Sequence, residues 1–473
     1  MLCIVAMATA AMAQVRMPVL RVQFEGNFNP NMTEYLNGKM ELTDEADKTV
    51  SLNAKFRVRG ATARQYGMKP SFNMKLRTED YSDSQDSTLL GLRSCSSWIL
   101  DAMAIDRICM RNRVSFDVWN EYARLPYETS FEGRNGTVGR FVEVYINDRY
   151  YGIYCLTDRI NRKLLDLKKV KDNGDGTVTP RGVLYKHGTQ DIENQNEPGF
   201  TEDYSAATIT WHNAWELTEP DGYPSLEAWQ PLIEAYRQEG SMSYIRKYFH
   251  MENLAQYQIL IMALGIADNW GNKNRYFSIL NIQKDIDDPD PAEGARRKFI
   301  LTPWDMDTSL GGDYKGSFYG GTYTVWPPAD LSKNGAYPFS KCMADPEYMK
   351  LLKACWEKER KGALSVAYVA GKMYTYRDLF LKSGAWERMT EHFDAQKNRP
   401  CYVKDLAAEV DLVVNWYRRR FAEMDEFFGI HEDAIQDVMA AGNDATYDLT
   451  GKKVDATRLA PGVYIRNGRK ILR

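Results

Sequence analysis

The chain has 473 residues, with 61 Lys and Arg against 64 Asp and Glu, a formal net charge of −3 and a pI of about 6.1. Hydrophobic residues make up 44% and charged residues 26%, the make-up of a globular protein long enough for a large core. The balance excludes a basic nucleic-acid binder, and no acidic tail of the disordered kind is present.

The first 14 residues, MLCIVAMATAAMAQ, are apolar and small and end in Ala11-Met12-Ala13. That is the pattern of a secretory h-region with its cleavage site, so residues 1–13 are expected to be a signal segment. The run is too short for a bilayer, which needs ~20 apolar residues. No later stretch reads as a membrane span. The seven cysteines include no C-x-x-C pair, and the five histidines no H-E-x-x-H, so zinc-ribbon and zincin readings fail. The 29 Tyr and 11 Trp read first as core and second as a glycan groove.

MPVLRVQFEG (17–26) predicts a strand ending in a turn. LNAKFRVRG (52–60) and SFNMKLRT (71–78) alternate apolar and polar side chains, the period-2 signal of half-buried strands. Ile108, Val114, Val118, Trp119 and Tyr122 recur at helical spacing, which predicts a helix over 106–125. RFVEVYINDRYYGIYCLTDRI (140–160) reads as a hairpin turning at Asn147-Asp148. Residues ~17–157 are therefore expected to form an antiparallel sheet with one inserted helix. Glu143 falls on the solvent phase of the hairpin, while Arg111 and Arg113 are either surface charges or members of internal ion pairs.

The second half reads as mostly helical. MENLAQYQILIMALGIA (251–267) is apolar nearly all round and predicts a buried helix. Segments 351–364 and 405–429 are amphipathic, 284–296 is a polar, Pro-rich loop, and the Trp-rich stretch 210–230 reads as an insertion. The tail, 445–473, reads as a separate small β-module with a hairpin turn at Asn467-Gly468.

Chemistry concentrates around one order of elements. After the buried helix comes a polar loop, DNWGNKNR (268–275), then two strands, YFSILNI (276–282) and KFILTPW (298–304), then Asp305 and Asp307. Apolar helix, Asp/Asn loop, strand pair and aspartate is also the order in the catalytic half of a protein kinase. Phosphoryl transfer needs such a set, because the transferring group must be oriented and its charge neutralised. Asp and Asn supply the oxygen ligands that magnesium prefers. Lys75 lies on the polar phase of its strand, with Lys69 just before it. Asp117 or Glu121 on the following helix are candidates to orient the lysine.

These segments together resemble the CotH (spore-coat protein H) kinase-like family. The resemblance rests on MPVLRV (17–22), RGATARQYGMKPSFNMKL (59–76), MRNRVSFDVWNEYARL (110–125), FVEVYINDRYYGIYCLTDRI (141–160), ADNWGNKNRYFSIL (267–280) and TPWDMDTSLGG (302–312). It implies an α+β, divergent bilobal protein-kinase-like fold, with a β-rich N-lobe at 17–160 and a mainly helical C-lobe with insertions at 161–430. It further implies a catalytic-loop Asp268 and metal ligands Asp305, Asp307, Asn274 and, second to the last, Asn272. Lys75 is the implied nucleotide lysine, Lys69 the runner-up, and Arg59 a further phosphate-facing group. The implied cofactors are ATP or another nucleoside triphosphate with Mg2+ or Mn2+, and the implied substrate is an exported protein.

The sequence departs from the family pattern at the turn after Arg59-Gly60, which reads Ala61-Thr62-Ala63 and lacks Asn and Ser donors. The family Glu after the hairpin is Asp158. A catalytically weak or inactive kinase-fold surface protein acting in assembly or adhesion is therefore the alternative, and a two-carboxylate glycan hydrolase a distant third. The tail resembles C-terminal sorting modules of a type IX-like secretion route. It agrees with the N-terminal run in pointing to the cell surface or exterior, with the outer-membrane secretion machinery as a partner.

Overall fold

The computed structural model describes residues 15–26, 28–60, 69–130, 132–188, 211–212, 215–237, 241–266, 269, 273–313, 337–394 and 402–430. In the tail it describes 446–447, 453–455, 459, 462–466 and 469–472. The chain divides into two compact units, 1–420 and 421–473.

Alternation organises the first part of the larger unit. Seven strands, β1 (Val19–Phe24), β2 (Leu36–Thr43), β3 (Thr49–Arg59), β4 (Ser71–Arg77), β5 (Ser97–Asp101), β6 (Gly139–Ile146) and β7 (Arg149–Asp158), close into a barrel in the order β1-β2-β3-β4-β5-β7-β6. One phase of each strand fills the interior: Leu20, Val22, Met40, Leu42, Ala54, Phe56, Val58, Phe72, Met74, Leu76, Trp98, Val142 and Tyr154 are all buried there. The sequence predicts an antiparallel sheet throughout. It closes instead through a parallel pair, β1 on β6, with Val19 opposite Glu143 and Val22 opposite Ile146. Closure leaves neither end strand with an unpaired edge. The hairpin at 140–160 forms as expected and turns at Asn147 and Asp148, both in the left-handed region at φ 47° and 61°.

The outer face of that hairpin is covered, which changes the expected role of Glu143. It is buried, and its carboxylate accepts from Arg388 Nε at 3.0 Å, Arg388 Nη2 at 2.7 Å and the Tyr150 hydroxyl at 2.7 Å. Gly152 (φ 86°) makes room for this covering, since a Cβ there would sit 2.8 Å from Met389 Cγ.

The inserted helix α1 runs Arg111–Tyr122, five residues later than its pattern begins. Residues 106–109 are spent on a turn in which Cys109 takes φ 53°. Asp106 there caps the helix, its carboxylate accepting from the backbone N–H of Met110 and Arg111, both at 2.7 Å. Arg111 and Arg113 both form internal ion pairs, with Asp106 and Asp117 respectively.

The following part carries more sheet than expected. Beyond a small ribbon, β8 (Lys171–Asp172) with β9 (Val178–Thr179), stand β10 (Val183–His187), β11 (Trp211–His212), β12 (Trp215–Glu219), β13 (Arg275–Ile279) and β14 (Ile300–Pro303). The last five form one sheet in the order β11-β12-β10-β13-β14. The expected pairing of the two strands before Asp305 is present, with Arg275 opposite Pro303 and Ser278 opposite Ile300. The remaining described helices are α2 (Leu226–Arg237), α3 (Met242–Tyr248), α4 (Met251–Leu264), α5 (Pro291–Ala295), α6 (Phe339–Cys342), α7 (Pro346–Glu359), α8 (Val366–Lys382), α9 (Ala385–Asp394) and α10 (Leu406–Phe428).

The buried helix α4 ends at Gly265 in the left-handed region, φ 60°, the usual glycine stop. The helix expected over 351–364 is shifted to 346–359 because Asp345 caps it, accepting from Tyr348 N at 2.8 Å, with Pro346 in the first turn. Segment 284–296 is not wholly loop, since Asp290 caps the short α5. Cys95, Cys109, Cys155, Cys342 and Cys355 are all free thiols.

In the smaller unit, β15 (Thr446–Tyr447), β16 (Lys453–Val454), β17 (Val463–Arg466) and β18 (Arg469–Leu472) form a sheet in the order β16-β15-β17-β18. Arg466 opposite Arg469 leaves two residues for the β17–β18 connection. The turn expected there, Asn467-Gly468, lies outside the described residues.

Strand β14 is the edge of the larger sheet, and side-chain amides satisfy it. Asn253 of α4 accepts from Leu301 N at 2.7 Å and donates to Leu301 O at 3.1 Å, and Asn135 donates to the same carbonyl at 3.1 Å. Asn253→Ala strands the buried Leu301 N–H. It is expected to cost about 1–3 kcal/mol in chemical denaturation with the fold retained; an unchanged denaturation midpoint would show that water replaces the amide.

Candidate functional site

Strands β13 and β14 end side by side, and both break out of the strand conformation at the same level. Asn274, just before β13, and Asp305, two residues beyond β14, each take φ 56°. Asn274 O accepts from Trp304 N at 3.0 Å, and Asn274 N donates to His187 O at 2.9 Å. The buried Asn269 ties the two ends together. Its Nδ2 donates to Asn274 O at 2.9 Å and to Trp304 O at 2.7 Å. Non-glycine residues rarely adopt this conformation, and they keep it only where neighbours over-determine it, as Asn269 does here.

Helix α1 holds the chain beyond Asp305. Asn112 Oδ1 accepts from Met306 N at 3.1 Å while its Nδ2 donates to Asp101 Oδ2, at the end of β5, at 2.9 Å. The Ser115 and Ser309 hydroxyls are 2.8 Å apart, and Arg111 Nε reaches Leu310 O at 3.4 Å. Met306, Thr308, Ser309 and Leu310 are buried, whereas Asp305 is exposed and Asp307 half-buried. The glycine pair has a reason too, because a Cβ on Gly312 would meet Arg111 Cδ and Nε, each at 3.0 Å. The expected metal set is thus partly gathered: Asn274 and Asp305 stand at adjoining strand ends, with Asp307 two residues on. Asp268 and Asn272 lie outside the described residues.

Strands β3 and β4 carry a basic outer face, and its Arg59 end is the part that reaches this site. Arg59 lies over the Trp304 ring at 5.1 Å, which brings it next to Asp305 in the chain. Lys75 sits on the same outward phase, opposite Lys55, and the Tyr35 ring lies between Arg57 and Lys75 at 4.9 Å and 5.0 Å. Burial lowers the Lys75 pKa, and Arg159, Arg77 and Arg57 push it the same way against Asp221. A lysine crowded by three cations gains from an incoming anion. Neither Asp117 nor Glu121 orients it. Asp117 takes Arg113 at 2.9 Å and the Tyr376 hydroxyl, and Glu121 takes the Tyr368 hydroxyl at 3.0 Å, so both face α8.

Lys69 does not join the others. It is buried, donates to Ile153 O at 2.6 Å, and its ammonium lies 5.0 Å from both the Tyr154 and Tyr402 rings. Asp158 is equally internal, paired with Arg93 at 3.0 Å and accepting from Val138 N at 2.9 Å. Burial raises its pKa, opposed by Arg93. Sequence reasoning misses Asn112, Asn269 and Asn253, which position the site. Asn112 stands inside the Met110-Arg111-Asn112 motif, but nothing in the sequence says what its amide reaches.

Asp305, Asp307 and Asn274 offer hard oxygen donors of the kind Mg2+ and Mn2+ take. Among the described residues no group of three or more His, Cys, Asp or Glu gathers around one point. A magnesium site fits this sparseness, because it uses one or two carboxylates and completes itself with substrate phosphates.

A β-rich part carrying a basic outer face, a helix clamped to an Asp-x-Asp segment, and an Asn loop beside it make this a kinase-like protein. The model of the CotH kinase protein family matches residues 56–424, most of the chain, and the chain belongs to that family. No curated relative matches it. Among the described residues no helix is long and apolar enough to cross a membrane.

The burial of Lys69 gives a signed pH dependence. Burial lowers its pKa below the ordinary lysine value of 10.5. The folded state therefore binds fewer protons than the unfolded one between the folded pKa and 10.5, and stability rises with pH through that window. Denaturation at about pH 7 and about pH 10 is expected to show wild type gaining on Lys69→Met as pH rises. Equal differences at the two pH values would mean the lysine is not desolvated.

Proposed function

We propose that this chain is a metal-dependent phosphotransferase that moves a phosphoryl group from ATP, or another nucleoside triphosphate, to an exported protein. The observation that carries the reading is the clamp of α1 on residues 306–310, which presents Asp305 and Asp307 beside Asn274 at the edge of a basic face. A bilobal kinase arrangement is the reading of that geometry, with the barrel and α1 as the smaller lobe. A divalent ion held by Asp305, Asp307 and Asn274 would neutralise phosphate charge. Arg59 and Lys75 would bind the phosphates, Lys75 losing the repulsion of its neighbours when it does so. Asp268 is the proposed acceptor of the substrate hydroxyl proton. Trp304, packed on Phe116 and Tyr276, carries the Arg59 guanidinium over its ring.

Export is part of the proposal. It is supported by the apolar run at 1–13 and by the small β-sheet unit of the tail, read as a sorting module for a type IX-like outer-membrane route.

Calorimetric titration of the chain lacking residues 1–13 with ATP tests the reading. Binding is expected with Mg2+ or Mn2+ and not with EDTA, and it is expected to vanish in Asp305→Ala. Lys75→Met is expected to weaken it about 10- to 100-fold, the worth of one charge-assisted contact. A folded wild-type chain that takes up no nucleotide with either metal would mean that the kinase-like shape serves only as a scaffold.

A further inference from the structure

Three of the buried arginines are matched to carboxylates. Arg93 meets Asp158, Arg111 meets Asp106 and Arg113 meets Asp117. Arg275, the first residue of β13, is different. It is 1% exposed, and its side chain's one hydrogen bond among the described residues runs from Nη2 to Tyr337 O at 3.2 Å. Its Nε and Nη1 are buried without a hydrogen-bond partner, and no carboxylate pairs with it among the described residues. The guanidinium instead faces aromatic rings, Phe277 at 5.1 Å and Phe339 at 5.9 Å. Water can satisfy an N–H but cannot neutralise a charge, and an uncompensated charge in such surroundings is costly.

A second buried group with a free polar atom stands directly across the strand pair. His187 on β10 is the register partner of Arg275, is 4% exposed, and stacks on Trp215 at 4.1 Å with rings 4° apart. Its Nδ1 has no hydrogen-bond partner among the described residues. A neutral imidazole carries its N–H on one of the two ring nitrogens, and Nδ1 can be that donor.

We propose that Arg275 and His187 form an internal binding site for one small monovalent inorganic anion of the halide class. Arg275 Nε and Nη1 and His187 Nδ1 supply donors, and the neighbouring rings of Phe277, Phe339 and Trp215 form apolar walls. One guanidinium charge matches one negative charge, while a phosphate dianion would leave a charge over. Aromatic walls also suit a weakly hydrated ion. The position gives the ion a task. Arg275 follows Asn274 and pairs with Pro303, two residues before Asp305. An ion held there fixes the two strand ends from which the candidate metal ligands emerge. The inference is independent of the nucleotide reading, since it concerns residues on the inner side of those strand ends.

The test uses the full chain at fixed ionic strength, with sodium chloride, sodium bromide or sodium gluconate. Chloride and bromide are expected to raise Tm saturably, by on the order of 2 °C or more over gluconate, and the rise is expected to be absent in Arg275→Met. Equal Tm in all three salts would overturn the site. Should Arg275→Met not fold, wild-type crystals grown in bromide decide the matter. An anomalous peak within hydrogen-bond reach of Arg275 Nε and Nη1 supports the site, and no peak there overturns it. Neither readout involves nucleotide, so the site can fail while the phosphotransferase reading stands.

Discussion

Asn112 bridges the last residue of β5 and the first peptide after Asp305, and by doing so joins the barrel to the Asp-x-Asp segment through a single side-chain amide. Its neighbours on α1 repeat the connection at Ser309 and Leu310. The helix can serve this way because its own start is fixed, with Asp106 capping the N-terminus and pairing with Arg111 at once. Any motion of α1 along its axis must therefore move Met306 or break buried hydrogen bonds, which is costly in both cases. Polar contacts thus set the register between α1 and the Asp-x-Asp segment, while the apolar core supplies bulk.

Much of the first part is legible in the sequence because alternation is a strong signal. Val142, Val144 and Ile146, answered by Ile153 and Cys155, mark the hairpin by their spacing alone. Closure of the barrel is not legible, because a parallel pairing between strands so far apart in the chain leaves no local mark. Glu143 shows why phase alone misleads, since the solvent phase of a strand becomes interior once a helix such as α9 is laid over it. In the second half β10 is buried at four of its five positions and shows no alternation, β11 is two residues long, and β12 alternates over only five residues, too few to stand out. Helix boundaries slip wherever a capping aspartate fixes the start, as at Asp106 and Asp345.

For the site, residue types are legible and partnerships are not. Asp305, Asp307 and Asn274 can be named because the order of elements and the family resemblance single them out. Lys75 ranks above Lys69 in the sequence, but both belong to one motif and nothing there says what surrounds either. The structure separates them by surroundings, placing one among aromatic rings and a carbonyl and the other among cations. Asn269, Asn253 and Asn135 escape notice because an asparagine that positions backbone looks, in sequence, like any other polar residue.

The closure of the barrel has a consequence for how this chain is handled. The family match begins at residue 56, inside β3, so it omits β1, β2 and most of β3. A fragment cut to the family boundary would lose the strand that pairs β6 and the strand that pairs β3. It would carry two raw edges and an opened interior that includes Phe56, Phe72 and Trp98. The smallest autonomous piece of this molecule is thus larger than the stretch by which its kinship is recognised.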